Sequence, residues 1–241
     1  FLSTPFSIQA ADLLKQISVP AFKIGSGECN NLPLIKYVAK FKKPTIISTG
    51  MNSLESITKT YNFAKKINKK IILMHCISMY PAPTSKTMLN TIPFLKKKFK
   101  CPVGFSDHSD DIYLAVAAVA LGANVIEKHF TVSKKWSGPD IELSITPEKF
   151  KNMVDICNEI HSAKGTRSKI LKEEIPVTNF AFSTVVTIKK INKNEKFTTN
   201  NIWVKRPGTG KIPAKDLHKI LNKISKRTLP DNYQLKPSDV K

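Results

Sequence analysis

Arginine is almost absent from this chain. Only Arg167, Arg206 and Arg227 stand among 39 basic residues, set against 18 acidic ones, for a formal charge of +21 over 241 residues. That balance invites a nucleic-acid reading, yet readers of guanine and phosphate favour the bidentate guanidinium, whereas lysine is a compact solvated charge. The lysines are also spread along the chain. Their densest runs, 65–70 and 96–100, fall where predicted helices end and a cation opposes the negative end of the dipole. No nucleic-acid partner is expected, although the positive field can attract a small anion. Cysteine is scarce as well: Cys29, Cys76, Cys101 and Cys157 are widely spaced, with no Cys-x-x-Cys pair, which excludes a zinc ribbon. A disulfide framework is not needed in a chain with this much core, so reduced thiols and a cytoplasmic location are the expectation. No apolar run approaches the ~20 residues of a membrane-spanning helix, and no membrane partner is expected. The first residues, Phe1 to Pro5, have neither the basic start nor the apolar stretch of a secretory signal.

What is present is ordinary globular composition, 41% hydrophobic and 24% charged, with a regular alternation of short β-like and helical runs. Strands are predicted over 1–5, 21–26, 45–49, 71–76, 103–107 and 124–130, and helices over 10–17, 32–41, 54–67, 88–99, 112–121 and 147–163. Ser53 with Ser56, and Thr146-Pro147-Glu148, are helix start signals. Six consecutive βα units imply a parallel sheet covered by helices. An eight-stranded barrel would need two more units, and the start inside a strand, without Met, points to a barrel whose first two units are missing. Residues 1–163 form this partial barrel domain and 164–179 a polar linker containing Pro176. Residues 180–241, with Val, Ile and Thr runs and turn signals at Pro207, Gly208, Gly210 and Pro213, form a small β-rich domain.

The residues suited to chemistry gather at strand C-terminal ends, where α/β sheets place their sites. Lys23-Ile24-Gly25-Ser26-Gly27-Glu28 offers ammonium, hydroxyl and backbone donors for a phosphate or carboxylate. It lacks the third glycine of a dinucleotide fingerprint and can equally be a tight strand-to-helix turn. Gly104-Phe105-Ser106-Asp107-His108 and Glu127-Lys128-His129-Phe130 each end an apolar strand on a histidine. A single such histidine is more often a hydrogen-bonded rim residue, but two on adjacent strands can bind a divalent metal and leave positions open for substrate oxygens. Asp140, in the turn Trp136-Ser137-Gly138-Pro139-Asp140, can act in proton transfer or simply shape the turn. Ser78 and Tyr80 follow the Cys76 strand and can meet a polar ligand. His75 reads as a core or rim histidine, and His161 and His218 as polar-face residues.

Taken together, these segments resemble the sialic acid synthase family. The resemblance runs from Ser3-Thr4-Pro5-Phe6 through Ser48-Thr49-Gly50-Met51 and the two histidine motifs. It continues into the tail, where Phe180-Ala181-Phe182 and Val204-Lys205-Arg206-Pro207-Gly208 are similar to the antifreeze-protein-like (SAF) domain of these enzymes. It implies a TIM barrel, here six of eight units, that condenses phosphoenolpyruvate with an N-acylated amino sugar such as N-acetylmannosamine, adding water and releasing phosphate. By the same resemblance His108 and His129 hold a divalent ion, Mn²⁺ in the first place, with Mg²⁺ or Co²⁺ as alternatives. Thr4, Lys23, Ser26, Ser48, Ser78 and Ser106 match positions that hold phosphoenolpyruvate, and Glu28 and Asp140 match the acidic positions that handle protons and water. Tyr80 and Phe180 contact the sugar, and Arg206 reaches it from the partner subunit of a domain-swapped homodimer. Ser78 departs from relatives that carry Asn there. The competing expectation is a non-catalytic remnant or an interaction module using the SAF domain.

Overall fold

The computed structural model describes residues 1–241. The chain forms two compact units, Phe1–Gly165 and Thr166–Lys241. The first is built on five parallel strands: β1 (Phe22–Ile24), β2 (Thr45–Ser48), β3 (Ile71–Cys76), β4 (Val103–Asp107) and β5 (Ile126–Lys128). They lie side by side in sequence order, as in a half-barrel. Six helices accompany them: α1 (Ile8–Gln16), α2 (Leu32–Ala39), α3 (Leu54–Ile67), α4 (Thr91–Phe99), α5 (Tyr113–Ala120) and α6 (Pro147–Ala163).

The first predicted strand is reduced. Residues 1–5 contribute only a parallel bridge between Ser3 and Phe22, closed by Lys23 N–H donating to the Ser3 carbonyl at 3.3 Å. Elsewhere the elements follow from local chemistry. Helix α3 starts where the Ser53 hydroxyl accepts from Ser56 N–H, carries Glu55 in its first turn and ends on Lys65 and Lys66. Each of these charges opposes the helix dipole. Its buried stripe, Ile57, Tyr61 and Ala64, recurs at helical spacing. The lysine run 96–98 likewise closes α4.

Alternation along the strands sorts two faces. Phe22, Ile24, Ile47, Ile71, Leu73, Val103 and Phe105 pack with the helices into the main apolar core. His75 shares their parity; it is buried, stacks on Phe105 and donates Nε2–H to the Thr87 carbonyl at 2.7 Å. The opposite parity places Lys23, Ser48, Cys76, Ser106 and Glu127 on the other face, at the strand ends.

The second unit contains α7 (Ile175–Ala181) and an antiparallel pair, β6 (Thr184–Thr187) with β7 (Ile202–Lys205). Its core gathers Val185, Ile191, Phe197, Ile202, Leu229 and Leu235. Helix α7 corrects the reading of 164–179 as plain linker. Pro176 occupies the first turn of that helix, where its missing N–H has no partner to lose, and so opens the helix rather than breaking it.

Candidate active site

A cleft of about 260 Å³ opens at the C-terminal ends of the five strands. Of the residues singled out in the sequence, Lys23, Ser26, Ser48, Ser78, Tyr80, Ser106, His108 and His129 all line it. They come from every strand or the loop after it, and the parallel register brings them level: Ser48 lies opposite Met74, Cys76 opposite Ser106, and Ser106 opposite Glu127.

Charge in the cleft is organised around Glu127. Its Oε1 accepts from the Lys23 ammonium at 2.8 Å and from the Ser106 hydroxyl at 2.7 Å. Burial opposes its ionisation, but Lys23, Ser106 and the nearby His108 outweigh that and hold the carboxyl below its ordinary value. Glu127 stands two residues before His129, and the sequence alone gives it no role because histidine is the residue type that marks that segment. The signal available was parity, since Glu127 and His129 point the same way on one strand.

The hydroxyls form a second group. Ser26 Oγ accepts from Gly50 N–H at 3.1 Å and lies 3.1 Å from Cys76 Sγ. Ser48 Oγ and Ser78 Oγ are buried without a hydrogen-bond partner. Gly50 is held against this group: a Cβ built there would fall 2.7 Å from Cys76 Sγ and 2.9 Å from Ser26 Oγ, and closer still to Ser78 Oγ. The close-approach glycine is therefore Gly50. Gly27, prominent in the sequence, has nothing within 4 Å of such a Cβ.

The two imidazoles face each other with centroids 5.4 Å apart at 69°, and the Tyr80 ring lies 4.4 Å from His108. His108 Nδ1–H donates to the Ile77 carbonyl at 2.7 Å, which leaves the Nε2 lone pair toward the cleft, 3.2 Å from Ser106 Oγ. Burial, reinforced by His129, pushes the His108 imidazole below its ordinary value, so it stays neutral and able to ligate. Asp140 Oδ2 lies 3.5 Å from His129 Nδ1, a placement that orients a ring for ligation through its other nitrogen. No group of three or more His, Cys, Asp or Glu side chains is placed to hold a metal ion by itself. A divalent ion here would take two imidazole nitrogens from the protein and its remaining positions from ligand oxygens and water, a donor set that suits a borderline first-row metal.

Three expected residues of the first unit, Thr4, Glu28 and Asp140, lie outside the lining. Thr4 packs its methyl toward Gly25, and the Glu28 carboxylate is engaged by the Asn31 amide at 2.5 Å, at the entry to α2. Phe180 and Arg206 belong to the second unit. Phe180 is exposed on α7, and Arg206 lines a groove of about 570 Å³ with Lys205, Lys236 and Gln234. Within that unit the turn after Arg206 packs on α7: Gly208 N–H donates to the Asn179 carbonyl at 2.7 Å, and a Cβ at 208 would meet the Thr178 carbonyl at 2.7 Å.

Fold and cleft together define a parallel α/β domain with an anion- and imidazole-bearing site at its strand ends, joined to a small antiparallel unit. Residues 1–169 match the NeuB family and residues 183–241 the SAF domain, and the chain belongs to the NeuB family. It is 44% identical over 225 residues to uncharacterized protein MJ1065 of Methanocaldococcus jannaschii, a match covering 92% of this chain and 66% of that protein. It is 41% identical over 236 residues to N,N′-diacetyllegionaminic acid synthase of Campylobacter jejuni, covering 96% of this chain and 70% of the relative. The crystal structure of spore coat polysaccharide biosynthesis protein spsE from Bacillus subtilis aligns with a TM-score of 0.66 at 34% identity, over 100% of this chain and 73% of that one. The chain thus spans about two thirds of the length of the relatives it matches. No helix is long and apolar enough to cross a membrane.

Proposed function

We propose that the cleft condenses phosphoenolpyruvate with an N-acylated amino sugar and water, giving a nonulosonic acid and inorganic phosphate. The observation that carries this reading is the pair of buried, partnerless hydroxyls, Ser48 and Ser78, in a cleft that also holds the Lys23 ammonium. Buried polar groups without partners are costly, and a ligand rich in oxyanions supplies the missing acceptors. Phosphoenolpyruvate carries two such groups, a phosphate and a carboxylate. The Campylobacter jejuni relative, named for a diacetylated product, favours a diacetamido sugar as the second substrate.

In this reading Lys23, Ser26, Ser48, Ser78 and Ser106 bind the phosphate and carboxylate, with Thr4 beside them. Glu127 fixes the Lys23 ammonium and the Ser106 hydroxyl in place before the ligand arrives. Tyr80, its ring tilted against His108, forms one wall for the sugar. Carbon–carbon bond formation joins C3 of phosphoenolpyruvate to the sugar aldehyde carbon, water adds at C2, and the C2–O bond to phosphate breaks. Asp140 stands beside His129 and handles protons at the aldehyde oxygen and the attacking water, with Glu28 as the second carboxylate. His108 and His129 would hold a divalent ion, Mn²⁺ in the first place, which when bound polarises the aldehyde.

The test is phosphate release from phosphoenolpyruvate by the chain with Mn²⁺ and either N-acetylmannosamine or a diacetamido-dideoxy sugar. Sugar-dependent release, abolished by Lys23→Ala, is expected. Binding of phosphoenolpyruvate that is indifferent to Lys23→Ala, Ser48→Ala and Ser78→Ala overturns the assignment of the cleft.

A further inference from the structure

Two opposite charges are sealed into the sheet at the level of the cleft, and no step above uses either. Lys128 on β5 and Asp107 on β4 pair Nζ to Oδ2 at 3.0 Å, with side-chain exposures of 0% and 1%. Their parity turns them away from the cleft, between the sheet and the loop leading to α5. The Lys128 ammonium is fully occupied: besides Asp107 it donates to the Ser109 carbonyl at 2.5 Å and reaches Ser109 Oγ at 3.3 Å. Asp107 in turn accepts Ser109 N–H on Oδ1 at 2.9 Å, while its Oδ2 has no hydrogen-bond partner and is balanced by the ammonium's charge alone.

One ammonium therefore grips the residues on both sides of His108, while its own backbone runs directly into His129. Apolar side chains of similar volume could fill this space without desolvating two charges, and such replacements commonly leave stability unchanged or raised. What apolar packing does not supply is direction. Two hydrogen bonds from a single nitrogen to Ser109, together with its ion pair to Asp107, set a distance and an angle between β4 and β5, whereas dispersion contacts tolerate slippage.

We propose that Lys128 and Asp107 form a positioning pair that sets the separation of the His108 and His129 imidazoles, and through it the affinity for the divalent ion. The inference rests on reading those imidazoles as the metal ligands.

The test uses the full chain carrying Asp107→Leu with Lys128→Met, which removes both charges together, and the milder Asp107→Asn. Three quantities are read: the urea midpoint, the nuclear Overhauser contact between the two imidazoles in metal-free protein, and Mn²⁺ affinity by electron paramagnetic resonance. The double variant is expected to fold with an unreduced midpoint, to lose the imidazole contact and to bind Mn²⁺ at least about tenfold more weakly. Asp107→Asn is expected to weaken both the contact and the affinity less. A folded double variant that keeps the contact and binds Mn²⁺ within about twofold of wild type overturns the inference. If the double variant fails to fold, an unchanged contact in Asp107→Asn overturns it. His108→Ala, measured in parallel, separates the two readings. Equal Mn²⁺ binding with and without that imidazole removes the metal assignment, while the imidazole contact still decides the positioning role.

Discussion

Gly50→Ala adds one methyl group where the structure has no room for it. The new Cβ would sit 2.7 Å from Cys76 Sγ and 2.9 Å from Ser26 Oγ, with Ser78 Oγ nearer still. Cys76 is fixed in a central strand, so the loop after β2 has to retreat and Gly50 N–H loses its 3.1 Å bond to Ser26. Overpacking of this kind costs about 1–3 kcal/mol and the lost hydrogen bond about 0.5–1.5, so a destabilisation of about 1.5–4.5 kcal/mol is expected. Gly27→Ala is the internal control: it adds the same methyl in the same cleft with nothing within 4 Å, and is expected within about 0.5 kcal/mol of wild type. Urea unfolding reads the stabilities, and calorimetric titration with phosphoenolpyruvate reads the cleft. In Gly50→Ala the displaced hydroxyls should weaken binding by at least about tenfold, or ~1.4 kcal/mol. Gly50→Ala indistinguishable from Gly27→Ala in both measurements refutes the reasoning.

Other perturbations have signs that the geometry sets. Ser48→Ala and Ser78→Ala remove buried hydroxyls that have no partner, so each should raise the unfolding free energy of ligand-free protein by about 1 kcal/mol while weakening phosphoenolpyruvate binding; a loss of stability in ligand-free protein contradicts this. Glu127→Gln leaves Lys23 without its charged partner and should cost about 1 kcal/mol at neutral pH, after discounting for partial exposure of the pair. Because the Glu127 carboxyl is held below its ordinary 4.5, that contribution is present above 4.5 and lost as pH falls through the folded value. Urea midpoints at pH 7 and pH 3 should therefore differ less in the variant. His75 shows the inverse case for a base. Burial holds its imidazole below the ordinary 6.5, so the unfolded chain takes up the proton first, and stability present above pH 6.5 drains away on acidification. His75→Gln should flatten the stability profile below pH 6.5, and an unaltered slope there counts against the assignment.

The parallel order of the sheet and the gathering of chemistry at strand ends were legible in the sequence because both follow from repeating local patterns. Helices α3 and α6 begin and end where their caps, charges and apolar stripes say. The first strand was over-read: residues 1–5 have strand-like composition, but only Ser3 finds a backbone partner. Pro176 misled in the opposite direction, since a proline marks a helix start as readily as a break. In the cleft, His108 and His129 were legible as a pair of motif ends. Glu127 and the Lys128–Asp107 pair were not, because their meaning depends on which residue stands across the ladder, and a single strand does not reveal its neighbour's register.

The ion pair between Lys23 and Glu127 has a consequence for the shape of the whole sheet. These residues sit on the first and last of five adjacent strands, which in a flat sheet lie on the order of 19 Å apart, four strand spacings. A 2.8 Å contact between side chains across that span is made only when the sheet curves toward the cleft far enough for a lysine and a glutamate to bridge it. The ion pair is in this way a gauge of the sheet's curvature, since flattening the sheet would part Lys23 from Glu127 while leaving the strand ladder intact.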